Sequence, residues 1–170
     1  LDKDLKASMK RRYATELGVR TSSLSSLYIY FFLESILRLN PGGRLVFITP
    51  TEYLDTSYGR AVKEALLAHC TIDDILIYGD DTLTFGNDVL STSAITVATK
   101  RANGAPRSRE VRVGDVMSSD FTDLRAVTVP DADIEKPWTS YAPGKAERNA
   151  KLHEGRTKTL GDYARVRRGI

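Results

Sequence analysis

The chain has 170 residues, of which 41% are hydrophobic and 28% are charged. These values are typical of one ordinary globular domain, or of one domain and part of another. The only cysteine is Cys70 and there are two histidines, which excludes an internal disulfide and a zinc site built from a His/Cys cluster. The sequence contains no run of about 18 apolar residues and no signal-peptide pattern, so we expect a cytoplasmic protein that does not associate with a membrane.

The net charge of +3 is distributed unevenly. Residues 1–100 contain 11 Lys and Arg against 12 Asp and Glu, whereas residues 145–170 contain eight basic residues against three acidic ones. A basic end of this kind either contacts nucleic-acid phosphates or remains a solvated terminus, and charge alone leaves both interpretations open. Because the chain starts with the polar LDKDLKASMK, we expect it to be a piece of a longer protein.

The first strongly apolar segment is LYIYFFLESILRL (27–39). It predicts a helix that is buried nearly all round, with the preceding serines as caps. NPGG (40–43) ends this helix and places a glycine where a left-handed backbone is needed. RLVFITP (44–50) is short, apolar and partly β-branched, and it predicts a fully buried parallel strand that ends at Pro50.

Helical spacing returns in SYGRAVKEALLAH (57–69). One predicted face is apolar and the other is charged; the apolar face consists of Val62, Ala65 and Leu66, and the charged face of Arg60, Lys63 and Glu64. Two strand-like runs follow, TIDDILIYG (71–79) and STSAITVATK (91–100). The connection between them is too short for a parallel crossover, so they predict an antiparallel pair. The order of elements predicts an open α/β sheet with a reversed strand at its edge.

Beyond Lys100 the apolar pattern becomes sparse. VRVGDV (111–116) and RAVTVP (125–130) predict short strands, and DADIEKPWTSYAPGK is irregular. Residues 104–170 contain too little apolar periodicity for an independent core, so we expect them to wrap onto the sheet or to lead into a following domain.

The loop IYGDDTLTFGND (77–88) lies between the predicted strands 71–79 and 91–100 and has Phe85 in its middle. An aromatic residue in such a loop either packs into the core or offers a flat face to a ligand, and the following Gly86 and Asn87 suit both interpretations. Asp73–Asp74 and Asp80–Asp81 are paired carboxylates that suggest a metal site. Side chains alternate along a strand, so the first pair cannot converge on an ion, and we predict no metal.

Four segments in this order resemble the later half of the γ-type N6-adenine DNA methyltransferases, the group that includes the TaqI methyltransferase and the Eco57I-like restriction–modification enzymes. The segments are LYIYFFLESILRLNPGGRLVFITP, TEYLDTSYGRAVKEALL, TIDDILIYGDDTLTFGNDVLSTSAITVATK and LGDYARVRRGI. The family's Gly-rich cofactor loop and Asn-Pro-Pro-Tyr motif are absent from this sequence. NPGG is not that motif, because it closes a helix. The resemblance therefore implies a chain that begins just past the catalytic loop, has no catalytic residue of its own and is inactive alone.

The resemblance implies the second half of a class I, Rossmann-like sheet with an antiparallel edge strand. Residues 1–103 would form the later half of the catalytic domain, residues 104–156 would pack on it or extend it, and residues 157–170 would lead to a target-recognition domain. The implied reaction transfers a methyl group from S-adenosylmethionine to an adenine flipped out of double-stranded DNA. The implied parent is a bacterial or archaeal restriction–modification or phage-defence enzyme, with or without a fused nuclease.

The same resemblance assigns roles to individual residues. Phe85 would stack on the flipped adenine, with Pro50 and Tyr53 also near the substrate. Phe31 would lie against the adenine ring of the cofactor, and Tyr28 would support that pocket. Core packing is the alternative for both phenylalanines.

Basic side chains would contact DNA phosphates at two places. Arg11 and Arg12, with Lys10, would lie near the mouth of the cleft, whereas Arg167 and Arg168, with Arg165, would lie at the entrance to the next domain. Three alternatives remain open: a methyltransferase for RNA, protein or a small molecule, a non-catalytic DNA-binding or assembly module, and an unrelated nucleotide-binding fragment.

Overall fold

The computed structural model describes residues 2–22, 25–78, 92–116 and 124–144. Within these ranges it contains four α-helices, five β-strands and two 3₁₀ turns. The helices are α1 (Lys3–Glu16), α2 (Leu27–Arg38), α3 (Glu52–Asp55) and α4 (Arg60–His69). The strands are β1 (Arg44–Pro50), β2 (Cys70–Tyr78), β3 (Ser93–Lys100), β4 (Val111–Val116) and β5 (Leu124–Val129), and the 3₁₀ turns are Ser57–Gly59 and Trp138–Tyr141.

The five strands form one mixed sheet in the order β1-β3-β2-β4-β5. β3 is antiparallel to both β1 and β2, β4 is parallel to β2, and β5 is antiparallel to β4. Helices alternate with the first strands along the chain. The predicted α/β class is therefore confirmed, as is the antiparallel pairing of the strands on either side of the Phe85 loop.

The position of the reversed strand was predicted wrongly. β3 lies between β1 and β2 instead of at the edge of the sheet. Since β3 is antiparallel to both neighbours, β1 and β2 run in the same direction. The crossover through α3 and α4 leaves one strand position free between β1 and β2, and β3 returns into it. Its alternate residues Ala94, Thr96 and Ala98 are completely buried.

β1 is not the fully buried parallel strand that its composition suggested. Among the described strands it pairs only with β3, in antiparallel register. Leu45 and Thr49 are buried, whereas Val46 and Ile48 are 65% and 52% exposed. Alternate side chains of a strand point to opposite faces, and in the described part of the chain the helices cover only the face that contains Leu45.

α2 packs on the covered face of the sheet through a small aromatic cluster. The Phe32 ring lies 5.2 Å from the Phe47 ring and 5.3 Å from the Tyr53 ring, measured between centroids. The helix is not buried all round, because Leu27 and Phe31 are 49% and 58% exposed. Because α2 is apolar at nearly every position, its sequence does not indicate which face of the helix packs against the core.

The two ends of α2 differ in how well the sequence predicted them. Ser26 occupies the position before the helix, but its side chain makes no capping hydrogen bond. After the helix, Gly42 has the expected left-handed backbone, with φ of 78°. The N–H of Gly42 donates to the carbonyl oxygen of Lys100 at 2.8 Å, so this turn is also fixed to the end of β3.

α1 is mostly exposed and is attached to the core by few side chains. Tyr13 is the buried residue of the helix, and its hydroxyl donates to the carbonyl oxygen of Tyr30 at 3.1 Å. Leu17 and Val19, just after the helix, are also buried. None of the helices in the described ranges has both the length and the apolar character needed to cross a membrane.

The described residues after Lys100, 101–116 and 124–144, extend the same sheet and share its core. β4 has the predicted bounds, and β5 starts one residue earlier than predicted. Trp138 follows in a 3₁₀ turn, is completely buried and belongs to the same hydrophobic cluster as α2 and α4. The irregular segment after β5 therefore folds back over the helices.

Candidate substrate-binding edge of the sheet

The carboxyl ends of β1 and β2 lie at one edge of the sheet. Pro50, the last residue of β1, pairs with Ser93, the first residue of β3, and Ile77 near the end of β2 pairs with Ala94. We call the region around Pro50, Tyr78 and Ser93 the carboxyl edge. Open α/β sheets place their ligands at the carboxyl ends of parallel strands, so this edge is the candidate functional site.

Phe85 lies within residues 79–91, outside the described residues. The described residues on either side of that segment lie at the carboxyl edge, because Tyr78 ends β2 and Thr92 precedes β3. The N–H of Thr51 donates to the carbonyl oxygen of Thr92 at 3.1 Å, and the two threonine hydroxyls lie 2.6 Å apart. Stacking of Phe85 on the substrate therefore remains a prediction, with core packing as the alternative.

Pro50 is half-buried at the end of β1, as its position in the sequence indicated. The threonines on either side of it, Thr49 and Thr51, are 4% and 8% exposed. The Thr49 hydroxyl has no hydrogen-bond partner among the described residues. The structure thus places Pro50 at the expected edge, and its contact with a substrate remains a prediction.

The expected position of Tyr53 on the rim is wrong. Its side chain is completely buried, and its hydroxyl lies 2.5 Å from the hydroxyl of Thr96 in β3. α3 starts two residues after Pro50 and turns this part of the chain inward over the sheet. Burial raises the pKa of the Tyr53 phenol far above its usual value. Tyr53 therefore supports the carboxyl edge from beneath and does not reach a ligand.

Phe31 and Tyr28 lie in the first turns of α2. The Phe31 ring is 58% exposed, whereas its neighbour Phe32 is completely buried, because consecutive helical residues point about 100° apart. Tyr28 is half-buried, and its hydroxyl has no hydrogen-bond partner among the described residues. Burial raises the pKa of Tyr28, and the nearby Tyr58 adds to this rise. An exposed ring beside a half-buried hydroxyl suits a planar ligand.

Arg12 is engaged by carboxylates of α1 and α2, and its predicted contact with a DNA phosphate remains a prediction. Its Nε donates to Glu16 at 2.9 Å and its Nη1 donates to Glu34 at 3.0 Å. Glu34 also accepts from Arg38 at 2.6 Å, so these side chains form an ion-pair network between α1 and α2. Arg11, next to Arg12, is exposed. Arg167 and Arg168 lie outside the described residues.

The turn after β1 is closely packed, and we call residues 51–59 the lip. Gly59 ends the lip at a place where any side chain would overlap the main-chain carbonyl of Tyr53. This close approach explains the glycine of the Ser-Tyr-Gly motif. On the other side of the lip, Lys63 and Asp55 bind the segment around Trp138. This contact was not predictable from the sequence, because Lys63 fits the charged face of an amphipathic helix.

The described acidic pair is engaged by neighbouring side chains. Asp73 accepts from the hydroxyl of Thr99 at 2.7 Å, and Asp74 accepts from Arg112 at 2.6 Å. Across the described ranges, no group of three or more His, Cys, Asp or Glu residues could hold a metal ion. Asp80 and Asp81 lie outside those ranges.

Comparison with known proteins identifies a family and two relatives. The model of a family described as Eco57I restriction-modification methylase matches residues 1–85. The chain is 33% identical over 166 residues to the type II methyltransferase M.AccI of Acinetobacter calcoaceticus. It is 34% identical over 67 residues to the type II methyltransferase M.XamI of Xanthomonas campestris pv. amaranthicola. These alignments cover 92% and 38% of this chain, and 30% and 13% of the two relatives.

A solved structure shows the same fold. The type IIG restriction endonuclease BpuSI matches 92% of this chain with a TM-score of 0.62, and the match covers 21% of that protein. The sequence identity is 13%, so this likeness shows the fold alone. The matched part of this chain thus spans about a third or less of the length of M.AccI, M.XamI and BpuSI.

Proposed function

The chain belongs to the Eco57I restriction-modification methylase family, and on this premise we propose that it is the later half of the catalytic domain of a DNA methyltransferase. The proposed reaction is the transfer of a methyl group from S-adenosylmethionine to N6 of an adenine in double-stranded DNA. The proposed setting is a restriction–modification or phage-defence system. This reaction does not require a nuclease in the same protein.

The family match is the observation on which this proposal depends. Its residues 1–85 include α1 to β2 and the first part of the Phe85 loop. The matched region therefore includes Pro50 and Tyr78 of the carboxyl edge, whereas Ser93 lies beyond it. The relation to M.AccI, a type II methyltransferase, supports the same reaction class.

Methylation of an adenine amino group requires that the base leave the duplex and be held in a pocket. Stacking on an aromatic ring contributes about 1–3 kcal/mol per base. We assign this contact to Phe85, in the segment between Tyr78 and Thr92 of the carboxyl edge, and we place Pro50 beside the base. Because the Asn-Pro-Pro-Tyr motif is absent from this sequence, the hydrogen bonds to the amino group come from outside this chain.

S-adenosylmethionine supplies the methyl group when bound. The residues of α2 fit a planar part of this cofactor, because the Phe31 ring is 58% exposed and the half-buried Tyr28 lies one helical turn before it. In the proposal, Phe31 stacks on the adenine ring of the cofactor. Tyr28 supports the same pocket.

DNA contacts outside the base pocket involve basic side chains. We retain Arg11, Arg167 and Arg168 as phosphate contacts, whereas Arg12 is bound to Glu16 and Glu34 and would have to leave them to reach a phosphate. Contacts to phosphates position a protein on DNA and depend strongly on salt, but they do not read sequence. Sequence recognition is assigned to a target-recognition domain that follows the catalytic domain.

The proposal is tested with the longer protein that contains this chain, duplex DNA and methyl-labelled S-adenosylmethionine. Nucleoside analysis of the product is expected to give N6-methyladenine. A control variant substituted in the Asn-Pro-Pro-Tyr motif should bind DNA but transfer no methyl group. Methylcytosine, or label in RNA or protein alone, would contradict the proposed substrate, and DNA binding without any transfer would favour an assembly module.

A further inference from the structure

The side chain of Lys63 is buried in the protein interior. It is only 2% exposed, although it lies on the helix face that the sequence predicted to be charged and solvated. Its Nζ donates to the main-chain carbonyl oxygens of Leu54 and Lys136, each at 3.1 Å. The same Nζ lies 5.4 Å from the centroid of the Trp138 ring. A buried ammonium group is costly unless it is well partnered, so these contacts define a specific site for Lys63.

Lys63 and Asp55 join the same two parts of the chain. Leu54 and Asp55 are the last residues of α3, within the lip. The Asp55 carboxylate accepts from the Thr139 hydroxyl at 2.7 Å and from the Thr139 N–H at 3.2 Å. Lys136 and Thr139 lie on either side of Trp138, within residues 130–144, which we call the strap. Two neighbouring sets of hydrogen bonds therefore fasten the lip to the strap.

The strap has internal contacts that make it a firm support. Trp138 is completely buried, and its Nε1 donates to the carbonyl oxygen of Asp133 at 3.0 Å. The N–H of Asp133 donates to the hydroxyl of Tyr141 at 3.2 Å. At the surface, Arg60 of α4 forms an ion pair with Glu135. The strap is thus folded around Trp138 by hydrogen bonds of its own, in addition to its contacts with the lip.

The lip depends on such contacts because α3 has only four residues, too few to be stable as an isolated helix. On the sheet side, Thr51 is fixed by its hydrogen bonds to Thr92, and Tyr53 is fixed by Thr96. On the far side, the end of α3 is held by Lys63 and Asp55. Thr51 begins the lip and Pro50 directly precedes it, so the attachment to the strap acts on the same turn that the hydrogen bonds to β3 hold.

We propose that Lys63 is a positioning residue for DNA methylation: by tying α3 to the strap it fixes Pro50 and Thr51 of the carboxyl edge against the target base. This inference rests on the proposed function. Lys63 touches neither the substrate nor the cofactor in this account. Its effect is on the geometry of the base pocket, where a displacement of about 1 Å can lower the rate of an enzyme by as much as a hundredfold.

The test uses the longer methyltransferase and three variants. Lys63→Met removes both hydrogen bonds of the ammonium while retaining most of its volume, and Thr139→Val removes one hydroxyl contact to Asp55 with almost no change of shape. Lys136→Ala is the matched control, because its exposed side chain is removed while its carbonyl oxygen remains. Steady-state kinetics give kcat and KM for DNA and the cofactor, and thermal unfolding identifies a temperature at which all variants are folded.

At that temperature we expect Lys63→Met to lower kcat/KM for DNA by about ten- to a hundredfold, with KM for S-adenosylmethionine nearly unchanged. Thr139→Val should have a smaller effect of the same kind, and Lys136→Ala should match the unchanged protein. The double variant should lose less than the product of the two single effects, because both act on one contact. If Lys63→Met does not fold, Thr139→Val provides the same comparison.

Two results would overturn the positioning role. One is a variant that unfolds at lower temperature but has normal kcat/KM for DNA while folded, which would make the contact purely structural. The other is an equal loss of kcat/KM for the cofactor and of kcat/KM for DNA, which would place the defect outside the base pocket. Failure of the unchanged protein to methylate DNA would overturn the proposed function and this inference together.

Discussion

The hydroxyl of Tyr53 lies 2.5 Å from the hydroxyl of Thr96, and both side chains are completely buried. This contact ties the turn that follows β1 to the middle of β3. Tyr53 is near the candidate site in sequence, yet its ring packs against Phe32 in the core. A buried hydrogen bond therefore supports the outward-facing residues of the carboxyl edge.

We expect Tyr53→Phe to lower the free energy of unfolding by about 1–3 kcal/mol, because it leaves the buried Thr96 hydroxyl without its partner. Thr96→Val should have a similar cost. The double variant should lose less than the sum of the two, as two residues in one contact do. Urea unfolding measures all three values. Additive losses would show that the hydroxyls stabilise the protein separately.

The free energy of unfolding at alkaline pH should depend on the ionisation of the Tyr53 phenol. Burial raises the pKa of Tyr53, so an unfolded chain ionises first, near a pKa of about 10. The contribution of Tyr53 is complete below that pH and is lost as pH rises above it. The free energy of unfolding should fall less steeply above pH ~10 in Tyr53→Phe than in the unchanged protein. Equal slopes would contradict a buried, protonated phenol.

Gly59→Ala should destabilise the lip, because the new methyl group would overlap the main-chain carbonyl of Tyr53. Overpacking at such a site costs about 1–3 kcal/mol, which thermal or urea unfolding can measure. Ser57→Ala is the control, since Ser57 lies in the same 3₁₀ turn with an exposed side chain. Equal stability of the two variants would mean that the turn is not tightly packed.

Phe31 and Phe32 provide a matched pair of adjacent aromatic residues. Phe31 is 58% exposed and Phe32 is completely buried. Phe31→Ala in the longer protein should raise the Kd for S-adenosylmethionine with little change in unfolding, whereas Phe32→Ala should cost about 3–5 kcal/mol of stability. Calorimetric titration measures the first effect and urea unfolding the second. Normal cofactor affinity in Phe31→Ala would remove Phe31 from the cofactor pocket.

The basic residues of α1 should differ in how they contribute to DNA binding. Arg11 is exposed, whereas Arg12 is bound to Glu16 and Glu34. If Arg11 contacts one phosphate, Arg11→Ala should reduce the slope of log K against log salt concentration by about 0.9. Arg12→Ala should change that slope less. A larger change in Arg12→Ala would mean that DNA displaces the Glu34 contact.

The strand bounds were predictable because short apolar runs lie between clear turn residues. VRVGDV became β4 with its predicted bounds, and RLVFITP became β1. The order of the strands was not predictable in the same way, since the placement of β3 between β1 and β2 depends on pairing between distant segments. The sequence determines which runs are strands more directly than it determines their neighbours.

The candidate site was predicted less completely. Tyr53 was expected outside because it follows a strand, but the four residues of α3 turn it into the core. Lys63 was expected in solvent because helical periodicity assigns it to a charged face, and its partners are the carbonyl oxygens of Leu54 and Lys136. Main-chain carbonyls have no signature in a sequence, so a contact of this kind can only be found in a structure.

Phe85 provides the most direct test of the central claim, that the carboxyl edge holds a flipped adenine. Three variants of the longer protein separate the possibilities: Phe85→Ala removes the ring, Phe85→Leu keeps an apolar side chain that is not flat, and Phe85→Tyr keeps a flat ring. The measurement is methylation of duplex DNA, with urea unfolding of each variant as the reference. Stacking worth about 1–3 kcal/mol corresponds to a loss of about 5- to 150-fold when the ring is removed.

We expect Phe85→Ala and Phe85→Leu to lose methylation to this extent, Phe85→Tyr to retain most of it, and all three to unfold like the unchanged protein. The opposite result is a loss of about 3–5 kcal/mol of stability in Phe85→Ala, as for a phenylalanine in a core, with normal methylation by the molecules that remain folded. That result would place the ring inside the protein and contradict the claim.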